Sequence, residues 1–567
     1  MIRHASRIIA ATLTAGLLSA CATYTDPAAD DAAMASAAVA PGDISENTLR
    51  DITRELSSDA FEGRMPGTIG EEKTVALLID RFRKAGLQPG NNGSWTQNVP
   101  LVEITGRNFS ELRVGGPAAD MRFAPSKDFV AVTYRESPSI DIDYSELVFV
   151  GYGINAPERG WNDYAGIDMK GKTAVILVND PDYETEGLDG TFNGRAMTYY
   201  GRWTYKYEEA ARQGAAAALI VHDTFPAAYG WNVVESSWTG PQAFAQTSNG
   251  NMNATMANGW IQKGVAEAIM NAAGQDLATL SESAKKKGFK PVPLGLGASL
   301  SFENDIRKYE SQNVIAMLPG SERADEVVIH TAHWDHLGRC TPDETGDDIC
   351  NGAVDNATGT AALVALGEAH AKAGAADRSL VFLAVTAEEQ GLLGAAYYAA
   401  NPVFPLANTV GGVNMDAIRM YGRARDITVV GGGKSELDDY LDAALAIVGR
   451  RATPEPTPEK GFYYRSDHFE FAKRGVPMVY LDDGEDLYDG GIAAGKAKAE
   501  AYTNDAYHGP NDEFQEDWPW DSFVADVQLY YLIGRMLAES EDWPNWLPGD
   551  EFRAIRDRSC AASAGGC

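Results

Sequence analysis

The stretch that decides the fold is Val327-Val328-Ile329-His330-Thr331-Ala332-His333-Trp334-Asp335-His336. A short run with four β-branched residues, Val327, Val328, Ile329 and Thr331, ends abruptly in imidazole and carboxylate side chains. Such a run is the signature of a strand buried on both faces. The pattern recurs downstream. Leu380 to Val385 leads into Glu388-Glu389, and Val410 to Asn414 leads into Asp416. Ile427 to Val430 and Val476 to Leu481 are further candidate strands. Helical patterns lie between or after them at Gly359 to Lys372, Glu436 to Val448 and Phe523 to Ala538. Strands alternating with helices predict an α/β fold, a three-layer sandwich around a mainly parallel mixed sheet. In such sheets ligands bind beyond the carboxyl ends of the strands.

Those ends carry a metal-competent set. His333, Asp355 and the Glu388-Glu389 pair are joined by Asp416 and, in a loop before the last helix, by His508. Two imidazoles with several carboxylates and no thiolate suit zinc or a similar borderline divalent ion. One bridging carboxylate would leave each of two ions with one histidine and one private carboxylate. That arithmetic puts His333, Asp416 and Asp355 on one ion, and His508, Glu389 and Asp355 on the other. Two ions about 3.5–4 Å apart activate water and polarise a carbonyl together. Of the adjacent glutamates one binds metal while the other faces the water as general base. Asp335, two residues past His333, is placed to accept the second imidazole N–H. His336 and His330 read as structural, and His468 as a pocket residue rather than a ligand. The acidic run Asp482 to Asp486 reads as a solvated loop, with calcium binding as its alternative.

His333-x-Asp335, Asp355-Asn356, Glu388-Glu389, Asn414-Met415-Asp416 and Tyr507-His508 together resemble the dizinc exopeptidases of the bacterial leucyl aminopeptidase and glutamate carboxypeptidase II type. Asn47 to Pro89, with Glu62-Gly63-Arg64-x-Pro66-Gly67, is similar to their N-terminal segment. The region 131–295, with short β-like runs and the lone His222, resembles their inserted protease-associated domain. The resemblance implies the zinc exopeptidase fold and two zinc ions per chain. It makes Asp355 the bridge, Glu388 the base, and His333, Glu389, Asp416 and His508 the terminal ligands. It also implies an oxyanion donor, for which Tyr463 and Tyr464 are both candidates. The implied activity is aminopeptidase cleavage of peptide substrates. A carboxypeptidase-type enzyme with Arg419, Arg423 or Arg465 in a cationic pocket is an alternative, as are a glutaminyl cyclase and a non-catalytic binding protein.

The rest of the 567-residue chain fixes context. With 48 Lys+Arg against 80 Asp+Glu the net charge is −32, which disfavours nucleic acid as a partner. Arg3 and Arg7, the apolar Ile8 to Leu18 and Leu18-Ser19-Ala20-Cys21 resemble a bacterial lipoprotein signal. Lipidated Cys21 would then be the sole membrane contact, and Ala22 after it points to the outer membrane facing the periplasm. The expected organisation is a signal over 1–21, a tether over 22–43, peptidase segments over 44–130 and 296–545 flanking the insert, and a tail over 546–567. Four further cysteines pair by proximity as Cys340–Cys350 and Cys560–Cys567 in an oxidising compartment.

Overall fold

The computed structural model describes residues 39–116 and 119–562. The expected signal with Cys21, most of the tether, and Cys567 with its expected bridge to Cys560 lie outside the described residues. Among the described residues no helix is long and apolar enough to cross a membrane.

The strand Arg323–His333 is central. It runs parallel to Arg378–Val385 on one side and to Thr409–Asn414 on the other. Met478–Asp482 continues the parallel order, and Asp426–Val430 then pairs antiparallel to it. At the far side Val314–Leu318 closes the group, antiparallel to Leu380–Ala384. The sheet is thus mixed around a parallel centre, and its parallel strands deliver their carboxyl ends to one edge.

Alternation along the strands sorts side chains to two faces. Val328, Ala332, Leu380, Phe382 and Ala384 pack with the helices Glu46–Leu56, Ile69–Lys84, Gly359–Ala373, Leu437–Val448 and Trp520–Glu539. Val327, Ile329, Val381, Leu383 and Val385 pack against Leu393–Ala400 and His468–Ala472. The result is three layers. Helix starts follow local chemistry: Ser45 accepts the Thr48 N–H at 3.1 Å and caps the helix Glu46–Leu56. The helix Gly491–Asp505 was not legible, because it buries only Gly495 and has no apolar stripe.

A second unit has its own apolar clusters. Its sheet takes in strands from residue 96 onward, including Thr96–Arg107, Leu112–Gly116 and Ser139–Phe149. Thr173–Leu177, Ala217–His222 and Ala257–Gln262 run parallel within it. The 27-residue strand Val292–Leu318 joins the two units, pairing with Ser139–Phe149 near its start and with the peptidase sheet at its end. A loop of the second unit also grips the first. Met197 N–H donates to Pro458 O at 3.1 Å, Arg195 pairs with Glu459, and Tyr199 packs on Phe469 at 5.2 Å.

His330 lies inside the core between Phe382 and His370, at ring separations of 5.1 and 5.3 Å. Burial, weakly opposed by the Val381 backbone, holds His330 down at about 3, and burial with neighbouring His330 and Arg535 holds His370 well below its ordinary value. Both are therefore neutral when folded, whereas an unfolded imidazole titrates at about 6.5. Their stabilising contribution is full above that pH and is lost as pH falls from there toward about 3 for His330, at ~1.4 kcal/mol per unit per group. Urea titrations of chelator-treated protein should show stability falling through this window. His330→Gln should make that fall shallower, and an unchanged slope would refute the assignment.

Candidate metal centre

Each ligand candidate is presented by a strand end or by a loop locked to one. His333 closes its strand, and its carbonyl accepts from Thr360 Oγ1 at 2.7 Å. Asp355 sits where the chain enters Gly359–Ala373, and the Val354 and Asp355 N–H groups both donate to the Asp512 carboxylate, at 2.9 and 3.0 Å. Asn356 ties three loops together. Its Nδ2 donates to the His333 and Met415 carbonyls at 3.3 and 3.1 Å, while its Oδ1 accepts from Gly359 and Ala417 N–H at 2.9 and 3.1 Å. The Cys340–Cys350 disulfide, with Cα atoms 5.9 Å apart, closes the loop between His336 and Asp355.

From below, Arg64 fastens these loops to the N-terminal segment. Its buried guanidinium donates to the carbonyls of Trp334, Leu56, Asn351 and Gly352 at 2.7–2.9 Å. Burial lowers Arg64 to about 10 against the opposing pull of Asp512, Asp335, Asp355 and Glu389. Gly63 beside it has φ +65°, and a Cβ there would lie 2.5 Å from the Cys350 carbonyl oxygen. No side chain fits that approach.

The structure brings His333, Asp355, Asp416, Glu389 and His508 together. His333 Nε2 lies 3.2 Å from Asp416 Oδ1 and 3.4 Å from Asp355 Oδ1. His508 Nε2 lies 3.2 Å from both Asp355 Oδ2 and Glu389 Oε2. A tetrahedral ion with bonds of about 2.0–2.1 Å sets its ligand atoms about 3.3 Å apart. The histidine-to-carboxylate edges of both triplets have that length, and Asp355 gives one oxygen to each. The residues therefore fit two zinc-sized ions sharing one carboxylate.

Electrostatics agree. Burial alone would lower His508, yet Glu389 and Asp355 raise it to about 9. Burial is likewise overridden at His333, which Asp416, Glu388 and Asp355 raise well above the imidazole range. Burial would raise Asp355, but the bonds from His333 and His508 hold it well below the carboxylate range. The carboxylates are binding protons on imidazole in the place of stronger cations. Glu388 is pushed well above its ordinary value by burial, Asp416, Glu389 and Asp467, with His333 opposing.

Other expected residues fall differently. Asp335 Oδ1 accepts the Glu388 N–H at 3.1 Å, and His333 Nδ1 meets the Asp335 backbone oxygen at 3.2 Å rather than the carboxylate at 3.8 Å. Asp335 thus fixes both the ligand imidazole and the glutamate turn. Tyr463 and Tyr464 are not brought into the cluster. The Tyr464 hydroxyl donates to Glu551 at 3.3 Å, and the Tyr463 ring lies under Lys434 at 5.1 Å. A different tyrosine is present: the Tyr507 ring stacks on His508 at 3.9 Å. Tyr507 is raised well above its ordinary value by burial and by Asp355, Glu389 and Glu388. His468 is buried between Tyr463 and Tyr480, at 4.7 and 4.8 Å. The Asp482–Asp486 run is engaged by Arg419, Arg425 and Arg451.

Two residues were missed by sequence reasoning. His336, expected to be structural, places Nδ1 2.6 Å from Glu389 Oε1; the signal was a second imidazole directly after His-x-Asp. Asp467 is buried with neither carboxylate oxygen hydrogen-bonded and lies within the field of Asp416 and Asp335. No pattern marked it.

Zinc binding should release protons at pH 7, because His508 is protonated below about 9 and must be neutral to ligate. Calorimetry in buffers of different ionisation heat should detect this release, with apparent affinity rising from pH 7 toward 9. Uptake without proton release would contradict the geometry.

Comparison with known proteins finds likenesses over the residues that carry the centre. The model of Peptidase family M28 matches residues 313–532. A probable zinc metalloprotease of Leptosphaeria maculans is 38% identical over 107 residues, 19% of this chain and 24% of that protein. The chain therefore matches about a quarter of the length of that curated relative. Among solved structures, an aminopeptidase from Aneurinibacillus sp. strain AM-1 aligns over 88% of this chain and 95% of its own, at 20% identity and TM-score 0.47. A zinc aminopeptidase from Bacillus subtilis aligns over 90% and 98%, at 17% identity and TM-score 0.41. The candidate ligands His333, Asp355, Asp416, Glu389 and His508 all lie within 313–532, the residues over which the chain is similar to Peptidase family M28.

Proposed function

We propose that this protein is a dinuclear zinc aminopeptidase that releases residues from the N-terminus of peptides. The observation that carries the reading is the division of the Asp355 carboxylate, Oδ1 toward His333 and Oδ2 toward His508. His333, Asp416 and Asp355 would hold one ion, and His508, Glu389 and Asp355 the other. When bound, the pair supplies Lewis acidity and an acidified water at neutral pH. The chain's own residues do the rest. Glu388, partly exposed beside His333 and anchored through its N–H to Asp335, takes a proton from the attacking water and returns it to the departing amine. The proposed location, anchored in the cell envelope through Cys21, rests on the N-terminal sequence alone.

One observation favours a second reading, a carboxypeptidase-type enzyme. Arg419 is neutralised by Asp482 and Asp483, and Arg423 stands 4.0 Å from Asp521. Arg465 has no carboxylate partner among the described residues, and Arg202 from the second unit keeps a buried Nε without a hydrogen-bond partner. Burial and the neighbouring Arg465 lower Arg202 to about 10. Such a pair suits a substrate carboxylate.

Glu388→Gln should keep its zinc and lose ~10²–10⁴-fold in kcat on a peptide substrate. Turnover close to wild type would remove Glu388 as the base. A panel of aminoacyl-p-nitroanilides, N-blocked dipeptides and glutamine-initiated peptides decides the direction. Cleavage confined to free-amino substrates supports the first reading, and cleavage of N-blocked dipeptides supports the second.

A further inference from the structure

Glu389 divides its two oxygens between two histidines. Oε2 lies 3.2 Å from His508 Nε2, on the side of Asp355, while Oε1 lies 2.6 Å from His336 Nδ1. His336 Nδ1 is also near enough to Asp355 and Glu389 to belong to a metal-holding group. Its distance from Glu389 excludes that role in this geometry. Two ligands of one zinc keep about 3.3 Å between them, whereas 2.6 Å is a strong hydrogen bond. The contact is an N–H donated to a carboxylate.

The His336 ring is held for that purpose. Its side chain is fully buried, whereas that of His508 is 37% exposed. Its backbone N–H points to the Arg64 carbonyl. The ring packs flush against Gly352, where φ is +54° and a Cβ would lie 2.6 Å from the ring. Nε2 is buried without a hydrogen-bond partner, so Glu389 is the ring's only hydrogen-bond partner among the described residues, beside an edge contact with the His508 ring at 5.9 Å.

We propose that His336 is a positioning residue for the His508 side of the centre: its Nδ1–H pins Glu389 Oε1, turns Oε2 toward the ion, and so sets the occupancy of that seat separately from the other. The proposal rests on the two-ion reading. Selectivity follows from the geometry, because Asp355 serves both seats whereas Glu389 serves one. Outer donors of this kind change metal affinity by about 10–100-fold.

The test is zinc titration of the chelator-stripped full chain against a chromophoric competitor, without reference to activity. His336→Ala should keep one tight site and weaken the other by about 10–100-fold. His336→Asn puts an amide N–H near the Nδ1 position and should recover most of that loss. His336→Gln, whose amide reaches the Nε2 position instead, should not. Two sites of wild-type affinity in His336→Ala would overturn the proposal. Equal loss of both sites, or equal behaviour of Asn and Gln, would do the same by showing a merely structural role. A single site in the wild-type chain would instead overturn the two-ion reading, and this inference with it.

Discussion

Asp355 offers one oxygen to His333 and the other to His508, and the surrounding structure holds that carboxylate still. Asp512 grips the backbone on one side of it and Asn356 binds the neighbouring loops on the other. The cost of this arrangement is charge. Asp335, Asp355, Glu388, Glu389, Asp416 and Asp467 converge at one sheet edge, and unneutralised carboxylates are expensive to bury. Arg64 supplies one fixed cation from beneath and the imidazoles supply protons. The proposed pair of divalent ions would neutralise most of the remainder.

The parallel sheet explains why these groups meet. Three neighbouring strands end in step, so His333, the Glu388-Glu389 turn and Asp416 reach one level without strand-length adjustment. The second unit is tied to this edge by the shared strand Val292–Leu318 and by the contacts of Arg195, Met197 and Tyr199. It brings Arg202 toward Arg465.

Much of this was legible because the sheet is buried on both faces. Runs such as Leu380 to Val385 have no polar interruption, and their abrupt ends marked His333, Glu388, Glu389 and Asp416 as functional. His508 was legible from its loop before the last helix and from the need for a second imidazole, and the resemblance of Tyr507-His508 agrees with that reading. What the sequence concealed are relations between distant loops. The Tyr463 ring lies under Lys434 and the Tyr464 hydroxyl donates to Glu551, partners 29 or more positions away that give no local sign. His336 looked structural because its partner Glu389 is 53 residues on. The role of Arg64 depends on four backbone carbonyls, which no side-chain pattern reveals. The helix Gly491–Asp505 was hidden for the opposite reason, being exposed nearly all round.

The most direct test of the shared carboxylate is X-ray absorption at the zinc edge on the fully loaded protein. The account predicts nitrogen and oxygen ligands at about 2.0–2.1 Å, no sulfur shell, and a metal–metal vector of about 3.5–4 Å. Zinc loaded to capacity without a metal–metal vector would mean that Asp355 does not bridge two ions, and would contradict the account.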